Sequence, residues 1–251
     1  MSIKTEDLKK RWPWGDKFLR QMRERIGPRA IVAFSSGKDA VAMSVTMKPY
    51  FDELIPFCCY YVPGLRIMDE ALAYYEERLF ERPIIRAPHP VLMQWLTEYR
   101  YQSPESARLI ARAQLPQNYS FLNIVNSIIE DEGLESGSLY AMGARSGEFF
   151  TRAVMCSKSG GIQAQRRQWW PVWQMNRNEI LDTIEGAGLA ISREYELFHT
   201  SFCGLDFGFM DQLAKHEPDD YAQVKRWFPL IDAERIRFLR NSSRAGEMQH
   251  G

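Results

Sequence analysis

The chain has 251 residues, of which 45% are hydrophobic and 25% charged, and its formal net charge is zero at pH 7. This composition is typical of a globular protein, and the length suits one large α/β domain or one domain with a helical appendage. A neutral chain has no overall field that would draw it to nucleic acid or to a membrane, although local patches remain possible. Residues 1–11 lack the apolar core of a signal peptide, and no apolar run reaches the ~18 residues of a membrane span. We therefore expect a cytoplasmic protein with no membrane partner.

Four cysteines are present: Cys58, Cys59, Cys156 and Cys203. They form no C-x-x-C pair, and the first two lie within an apolar run, where burial is the expected outcome. A metal site or an iron–sulfur cluster would need more ligands at closer spacing. The pattern predicts reduced thiols and no iron–sulfur cluster.

The first half of the chain alternates between helical and strand patterns. A helical pattern opens at Thr5, is interrupted by Pro13 and resumes over 14–26. The elements expected next are a strand over 30–34, a helix ending near Lys48, a strand over 54–62, a helix over 68–80 and a strand over 83–87. This alternation predicts a parallel sheet with right-handed crossovers, in which ligands bind beyond the carboxyl ends of the strands.

The second half is mainly helical, with one further strand. Helices are expected over 91–99, 105–113 and 119–130, a fourth strand over 139–142, and helices over 176–187, 211–215, 219–227 and 231–239. Trp169, Trp170 and Trp173 favour a place in the core over stacking on a nucleobase. The residues after Arg240 read as a loose tail.

The loop after the first strand joins a buried strand to a helix N-terminus, where unpaired N–H groups and the helix dipole favour an anion. Its residues are Ser35, Ser36, Gly37, Lys38 and Asp39. The small residues allow close approach to the backbone, and Lys38 adds a mobile positive charge. Asp39 would repel an anion unless it caps the helix or holds a metal ion. The alternative is a plain strand–turn–helix with a solvated lysine.

A second loop follows the fourth strand and also leads into a helix. It contains Gly143 and Arg145, and Arg152 lies one to two turns into the helix. Arginine in this position can hold phosphate or sulfate oxygens with two hydrogen bonds, whereas an isolated arginine more often forms a surface ion pair. Because both loops follow strand carboxyl ends, we favour the ligand role. Arg166 and Arg167 either line the entrance of this predicted anion site or face water.

Both loops resemble motifs of known proteins. The first resembles the PP-loop, Ser-Gly-Gly-x-Asp-Ser, of the adenine nucleotide alpha hydrolase-like superfamily, with Ser36 in place of a glycine and Ala40 in place of the last serine. The second resembles the Gly-x-Arg-x-x-Glu-Ser-x-x-Arg motif of phosphoadenosine phosphosulfate (PAPS) reductase-like proteins. It matches at Gly143, Arg145, Glu148 and Arg152, and Phe149 stands in for the serine.

The resemblance implies a Rossmann-like PP-loop ATP pyrophosphatase fold with a five-stranded, mainly parallel sheet flanked by helices. It implies a helical segment over 1–28, a nucleotide-binding domain over 29–206 and a helical C-terminal extension with a loose tail over 207–251. In that family an extended link leads to a tyrosine and a Gly-Cys-x-x-Cys element. This chain offers Tyr195 and Cys203, and the second cysteine is missing.

The resemblance also implies a ligand, ATP or PAPS, whose phosphates are cradled by Ser35, Ser36, Gly37, Lys38, Gly143, Arg145 and Arg152. Lys38, Asp39 and Arg145 would be catalytic, and Asp39 would cap the loop or help to hold Mg²⁺.

Three functions remain open. The first is cleavage of ATP at the α-phosphate to adenylate an acceptor, in sulfur transfer or nucleic-acid modification, with a sulfur-donor or reductant protein and a nucleic acid as possible partners. The second is PAPS reduction, which needs a thiolate; Cys203 is the candidate, and the C-terminal tail has no cysteine. The third is a catalytically weak module that binds nucleotides or partners, favoured by Ala40, Phe149 and the missing cysteine.

Overall fold

The structure is a computed structural model that describes residues 13–198 and 204–238. The helical pattern proposed near Thr5, Cys203, the end of the helix expected over 231–239 and the tail after Arg240 lie outside these residues. Residues 232–238 are helical, in agreement with that last expected helix.

One sheet of six strands forms the centre of the fold. Its strands are β1 (Arg29–Ala33), β2 (Glu53–Tyr60), β3 (Ile85–Pro88), β4 (Tyr140–Met142), β5 (Ile162–Gln163) and β6 (Gln168–Trp169). The order is β3-β2-β1-β4-β6-β5, and among these described strands only β5 runs antiparallel to its neighbour. The predicted α/β class with a mainly parallel sheet is confirmed. The five strands that the resemblance implied are one too few. The sequence pattern itself predicted four strands, because the two-residue strands β5 and β6 are too short to show a periodic pattern.

Helices fill the connections between the strands. They are α1 (Pro13–Ile26), α2 (Lys38–Met47), α3 (Arg66–Tyr75), α4 (Pro90–Thr97), α5 (Pro104–Ala113), α6 (Phe121–Asp131), α7 (Phe150–Ser159), α8 (Arg177–Gly186), α9 (Arg193–Phe198), α10 (Phe207–His216) and α11 (Pro218–Trp227). The helix expected over 68–80 is α-helical only to Tyr75 and continues as a π-helical turn over Glu76–Phe80. The helix expected over 211–215 begins earlier, at Phe207, because the side chain of Asp206 caps it by accepting from the N–H of Phe209.

Both faces of the sheet are buried under helices. Along β1, Ala30 and Val32 face a cluster built with α1, α2 and α8, whereas Ile31 faces a second cluster built with α6. This alternation follows from the two-residue period of a strand, and burial on both faces explains the nearly continuous apolar run of the sequence there.

The C-terminal helices pack against loops at the carboxyl end of the sheet. Residues of α10 and α11 share a cluster with Val62 and Leu65, which follow β2, and with Trp95 of α4. The carboxylate of Asp220 also caps α3, since it accepts from the N–H groups of Arg66 at 2.7 Å and Ile67 at 2.9 Å. The segment after residue 206 therefore helps to build the end of the sheet where the candidate site lies.

Candidate functional site

A cavity of about 370 Å³ lies beyond the carboxyl ends of β1, β2 and β4. This volume is within the range of small-molecule sites, and the position is the one that open parallel sheets use for ligands. Residues from both predicted loops line it, together with aromatic residues that follow β2 and β3. Those relevant to its chemistry are Ser35, Tyr61, His89, Phe121, Gly143 and Arg152.

The first loop leaves its backbone donors open. The N–H of Phe34 still donates to the sheet, at 2.8 Å from the carbonyl oxygen of Phe57, and the first helical bond runs from the N–H of Ala40 to Gly37. Within the described chain, no backbone hydrogen bond is donated by the N–H groups of residues 35–39. Gly37 is the N-cap of α2 and has no side chain to cover these donors. The loop therefore offers consecutive N–H groups at the positive end of a helix dipole.

The backbone of Ser36 adopts a conformation that favours glycine, the residue that the motif in the sequence comparison has at this position. Its φ is +55°, in the left-handed region that glycine adopts without strain. Its side chain is fully buried, and the hydroxyl donates to Oε1 of Glu194 at 2.5 Å. Ser36 therefore contributes its backbone to the loop, while its hydroxyl ties the loop to α9.

Asp39 joins the two predicted loops. Nζ of Lys38 lies 2.7 Å from its Oδ2, and Nε of Arg145 lies 2.5 Å from its Oδ1. Both cations are largely buried, with side chains 12% and 10% exposed, so these contacts are poorly screened by water. The three side chains together carry one net positive charge.

The role expected for Asp39 needs one correction. Gly37, not Asp39, is the N-cap of α2, and the Asp39 carboxylate is occupied by two cations. No group of three or more metal-ligating side chains occurs among residues 13–198 and 204–238. The donor set does not fit a dedicated Mg²⁺ site, since Mg²⁺ would have to displace Lys38 or Arg145 or come with the phosphates of a ligand.

The second loop packs directly onto the start of α2. A Cβ on Gly143 would lie 2.7 Å from the backbone nitrogen of Ala40, so only glycine allows this approach. Glu148 then orders the loop: it accepts from the backbone N–H of Arg145 at 3.2 Å and forms an ion pair with Arg152. Arg152 lines the cavity, whereas Arg145 lies behind the wall and is held by Asp39.

Other predicted residues lie elsewhere. Arg167 reaches Oδ1 of Asn126 and the carbonyl oxygen of Ser138, which precedes β4, so it lies at the opposite edge of the sheet from the loops. Trp169 and Trp170 are buried, as expected for core residues.

Residues 187–192 link α8 to α9, and Tyr195 lies in the first turn of α9. Its ring faces Nζ of Lys38 at 5.4 Å. Cys203 falls outside the described residues, so its role stays a prediction.

The thiols nearest the cavity are poor nucleophiles. Burial raises the pKa of Cys58 to about 12 and also raises the pKa of Cys59. Because the thiolate is the reactive form, neither thiol is activated at neutral pH.

Sequence reasoning missed the aromatic side of the cavity. The rings of Tyr61 and His89 stack at 4.1 Å with an interplanar angle of 21°, and Phe121 meets His89 edge-on at 5.1 Å. Tyr61 and His89 follow β2 and β3 directly. Applying the rule that ligands bind at strand carboxyl ends to these two strands would have found them.

Fold and site together define a mainly parallel α/β protein with a cationic loop cluster beside a cavity. No family model matches this chain, and no curated protein matches it. Among solved structures it is similar to the U34-tRNA thiolase NcsA from Methanococcus maripaludis with its [4Fe-4S] cluster. The identity is 17%, the match covers 87% of this chain and 79% of that chain, and the TM-score is 0.44.

The comparison with solved structures overturns one expectation from the sequence. The prediction that no iron–sulfur cluster is involved is contradicted, since a structurally similar protein contains one, and we withdraw the exclusion that was based on cysteine spacing. In the described part of the chain, no helix is long and apolar enough to cross a membrane.

Proposed function

We propose that this protein is a PP-loop enzyme that binds an adenine nucleotide, cleaves ATP at the α-phosphate and adenylates an acceptor, in sulfur transfer or nucleic-acid modification. The observation that carries the proposal is the single cavity that Ser35 of the first loop and Gly143 of the second both line. Two loops that meet at one cavity can hold the same polyphosphate, whereas loops on opposite sides could not.

The open N–H groups of residues 35–39 would bind the β- and γ-phosphates. Lys38 would compensate the negative charge that builds up on the departing pyrophosphate, and Arg145 would add to the positive potential from behind the cavity wall. Asp39 holds both cations in place before the nucleotide arrives. An oxygen of the acceptor forms a bond to the α-phosphorus as the bond between that phosphorus and the bridging oxygen breaks. Pyrophosphate leaves, and the acceptor carries the adenylyl group.

The departures from the family motifs do not obstruct this role. Ala40 lines the cavity and takes one hydroxyl away from the phosphates, but it leaves the backbone donors intact. Phe149 is 64% exposed and does not line the cavity, so the serine it replaces is no loss to the cavity wall.

PAPS reduction is the second candidate, because the loops would bind the phosphates of PAPS equally well. It would need an activated thiol, and burial raises the pKa of both thiols that line the cavity. Cys203 is the remaining candidate thiol, and trapping it with PAPS would identify a reductase. A module that binds nucleotide without turnover is the third candidate.

The test is a calorimetric titration with ATP, joined to an assay of pyrophosphate release. We expect Lys38→Ala to weaken ATP binding about 10- to 100-fold, since it removes a charge-assisted contact of about 1.5 to 3 kcal/mol. The control is Lys48→Ala at the other end of α2, where the lysine binds the carbonyl oxygen of Leu79 and Glu81.

If the protein binds ATP but releases no pyrophosphate with any acceptor tested, the third candidate, a module that binds nucleotide without turnover, is favoured. Equal ATP affinity of Lys38→Ala and the parent would refute the phosphate-loop assignment.

A further inference from the structure

The aromatic side of the cavity presents one polar group that the phosphate loop does not explain. His89 is the N-cap of α4, and its Nδ1 accepts a hydrogen bond from the N–H of Val91 at 3.1 Å. A neutral imidazole that accepts at Nδ1 carries its proton on Nε2. Within the described residues, this Nε2–H has no hydrogen-bond partner, and His89 lines the cavity.

We propose that His89 is a base-reading residue, whose Nε2–H donates to an unprotonated ring nitrogen of a purine seated against the Tyr61 side of the cavity. The proposal rests on the proposed function, because it concerns the base of the same nucleotide whose phosphates the loops would hold.

The lining of the cavity favours a flat heteroaromatic ring at this end. Tyr61, His89 and Phe121 form one aromatic side, and Val62, Leu65 and Met68 add apolar lining. A flat base can stack in such a space and still needs a hydrogen bond to fix its orientation. Ser35 and Arg152 line the same cavity, so one nucleotide can reach both the aromatic side and the loops.

The protonation state of His89 favours a base, and not a phosphate, as its hydrogen-bond partner. Burial lowers the pKa of His89 to about 4, so the ring is neutral near pH 7. A neutral donor suits a neutral acceptor such as a ring nitrogen, whereas phosphate oxygens are better served by the cations of the loops.

The experiment measures the binding of ATP and of its 1-deaza, 3-deaza and 7-deaza analogues, in each of which one ring nitrogen is replaced by C–H. The parent is compared with His89→Phe, which keeps an aromatic ring but has no donor, and with His89→Asp, whose carboxylate retains an acceptor for the N–H of Val91 and has no donor. His216→Phe applies the same substitution to an exposed histidine of α10. Melting temperatures show whether each variant is folded.

We expect one of the three analogues to bind the parent about tenfold more weakly than ATP, the size of one lost hydrogen bond. Each His89 variant should bind ATP and that analogue with equal affinity, because neither variant has the donor that distinguishes the two ligands. His216→Phe should behave as the parent does. The inference is overturned if all three analogues bind the parent as tightly as ATP, or if the penalty persists in the folded His89 variants.

Inorganic tripolyphosphate distinguishes failure of this inference from failure of the proposed function. Equal affinity of the parent for tripolyphosphate and ATP would mean that the base is not held, and only the role of His89 fails. If the parent binds neither, the phosphate site and the role of His89 fail together.

Discussion

Clusters of arginine and carboxylate lie at both ends of the parallel strands: at the amino edge, where the strands begin, and at the carboxyl edge, where they end. Only the cluster at the carboxyl edge has the features of a binding site. At the amino edge, Arg29 and Arg82 face Glu53 and Glu132, and every carboxylate oxygen of the two glutamates receives one guanidinium N–H. At the carboxyl edge, Lys38 and Arg145 both contact the carboxylate of Asp39 beside a cavity. Arg145 also lies 3.9 Å from Glu148, which pairs with Arg152.

The charge balance of the two clusters distinguishes them. The four side chains at the amino edge form a closed ring of ion pairs, the amino-edge ring, with two charges of each sign and no carboxylate oxygen left without a partner. Because its members come from different segments, the ring ties together β1, β2 and the segments before β3 and after α6. The carboxyl-edge cluster has three cations, Lys38, Arg145 and Arg152, and two carboxylates, Asp39 and Glu148. These side chains keep one net positive charge next to open backbone donors, which an anion would neutralise. A cation in excess beside a cavity is therefore a better sign of a ligand than the number of charged residues.

The largest effect is expected from Gly143→Ala, which would separate the two loops at the carboxyl edge. The new Cβ would meet backbone atoms of Asp39 and Ala40 at 2.7 Å. We expect a loss of about 3 kcal/mol of unfolding free energy, together with loss of ATP binding, since backbone must move to relieve the clash. Gly147→Ala, in the same loop but with nothing within 4 Å of its added Cβ, is the matched control. Chemical denaturation and ATP titration give the two readouts, and parent-like values for both would show that the loops do not depend on this contact.

Glu132→Gln should break the amino-edge ring without touching the site. Burial tends to raise the pKa of Glu132, but the hydrogen bonds and charges of Arg82 and Arg29 outweigh it and lower the pKa. We expect a loss of about 1 to 3 kcal/mol at pH 7, between the values for exposed and buried pairs, with ATP affinity unchanged. The exposed Glu130→Gln is the control.

The pH dependence of this loss has a definite sign. A carboxylate whose folded pKa is lowered stabilises the protein above its unfolded pKa of about 4.5, and the contribution is lost as the pH falls through the folded pKa. The parent should therefore lose its advantage over Glu132→Gln below about pH 4.5. An advantage that grows in acid would contradict the ring.

Variants of Ser36 separate the effect of backbone strain from that of a buried hydrogen bond within the first loop. Ser36→Ala loses the bond to Glu194 and keeps the left-handed backbone, whereas Ser36→Gly loses the same bond and relieves the strain. We expect Ser36→Gly to be more stable than Ser36→Ala by about 1 kcal/mol. Thermal unfolding of the two variants side by side measures the difference, and the opposite order would show that the loop is not strained at this position.

The smallest effect near pH 7 is expected from the titration of His89. Its folded pKa of about 4 lies below its ordinary value of 6.5, so the unfolded chain binds more protons between these values. Stability should therefore be complete above about pH 6.5 and decline as the pH falls toward 4, and His89→Asn should remove this component. NMR titration of the ring carbons checks the midpoint, and a value near 6.5 would show that the ring is open to water.

The sequence by itself determined the alternation of elements and the two loops. Apolar runs of strand length, interrupted by Gly143 and by the Ser35–Asp39 segment, depend only on local pattern, because a buried strand and a helix start each leave a short-range signature. Local patterns did not reveal the strands β5 and β6 or the helix that carries Tyr195, because these elements are too short to show a period.

The tertiary structure alone decided which charges meet and which remain in excess. Asp39 and Arg145 are 106 residues apart, and Ser36 and Glu194 are 158 apart, so no local pattern links them. The order of strands in the sheet brings β1 beside both β2 and β4, and that placement sets two loops around one cavity. Long-range contacts of this kind follow from the packing of whole elements, which the chemistry of neighbouring residues does not encode.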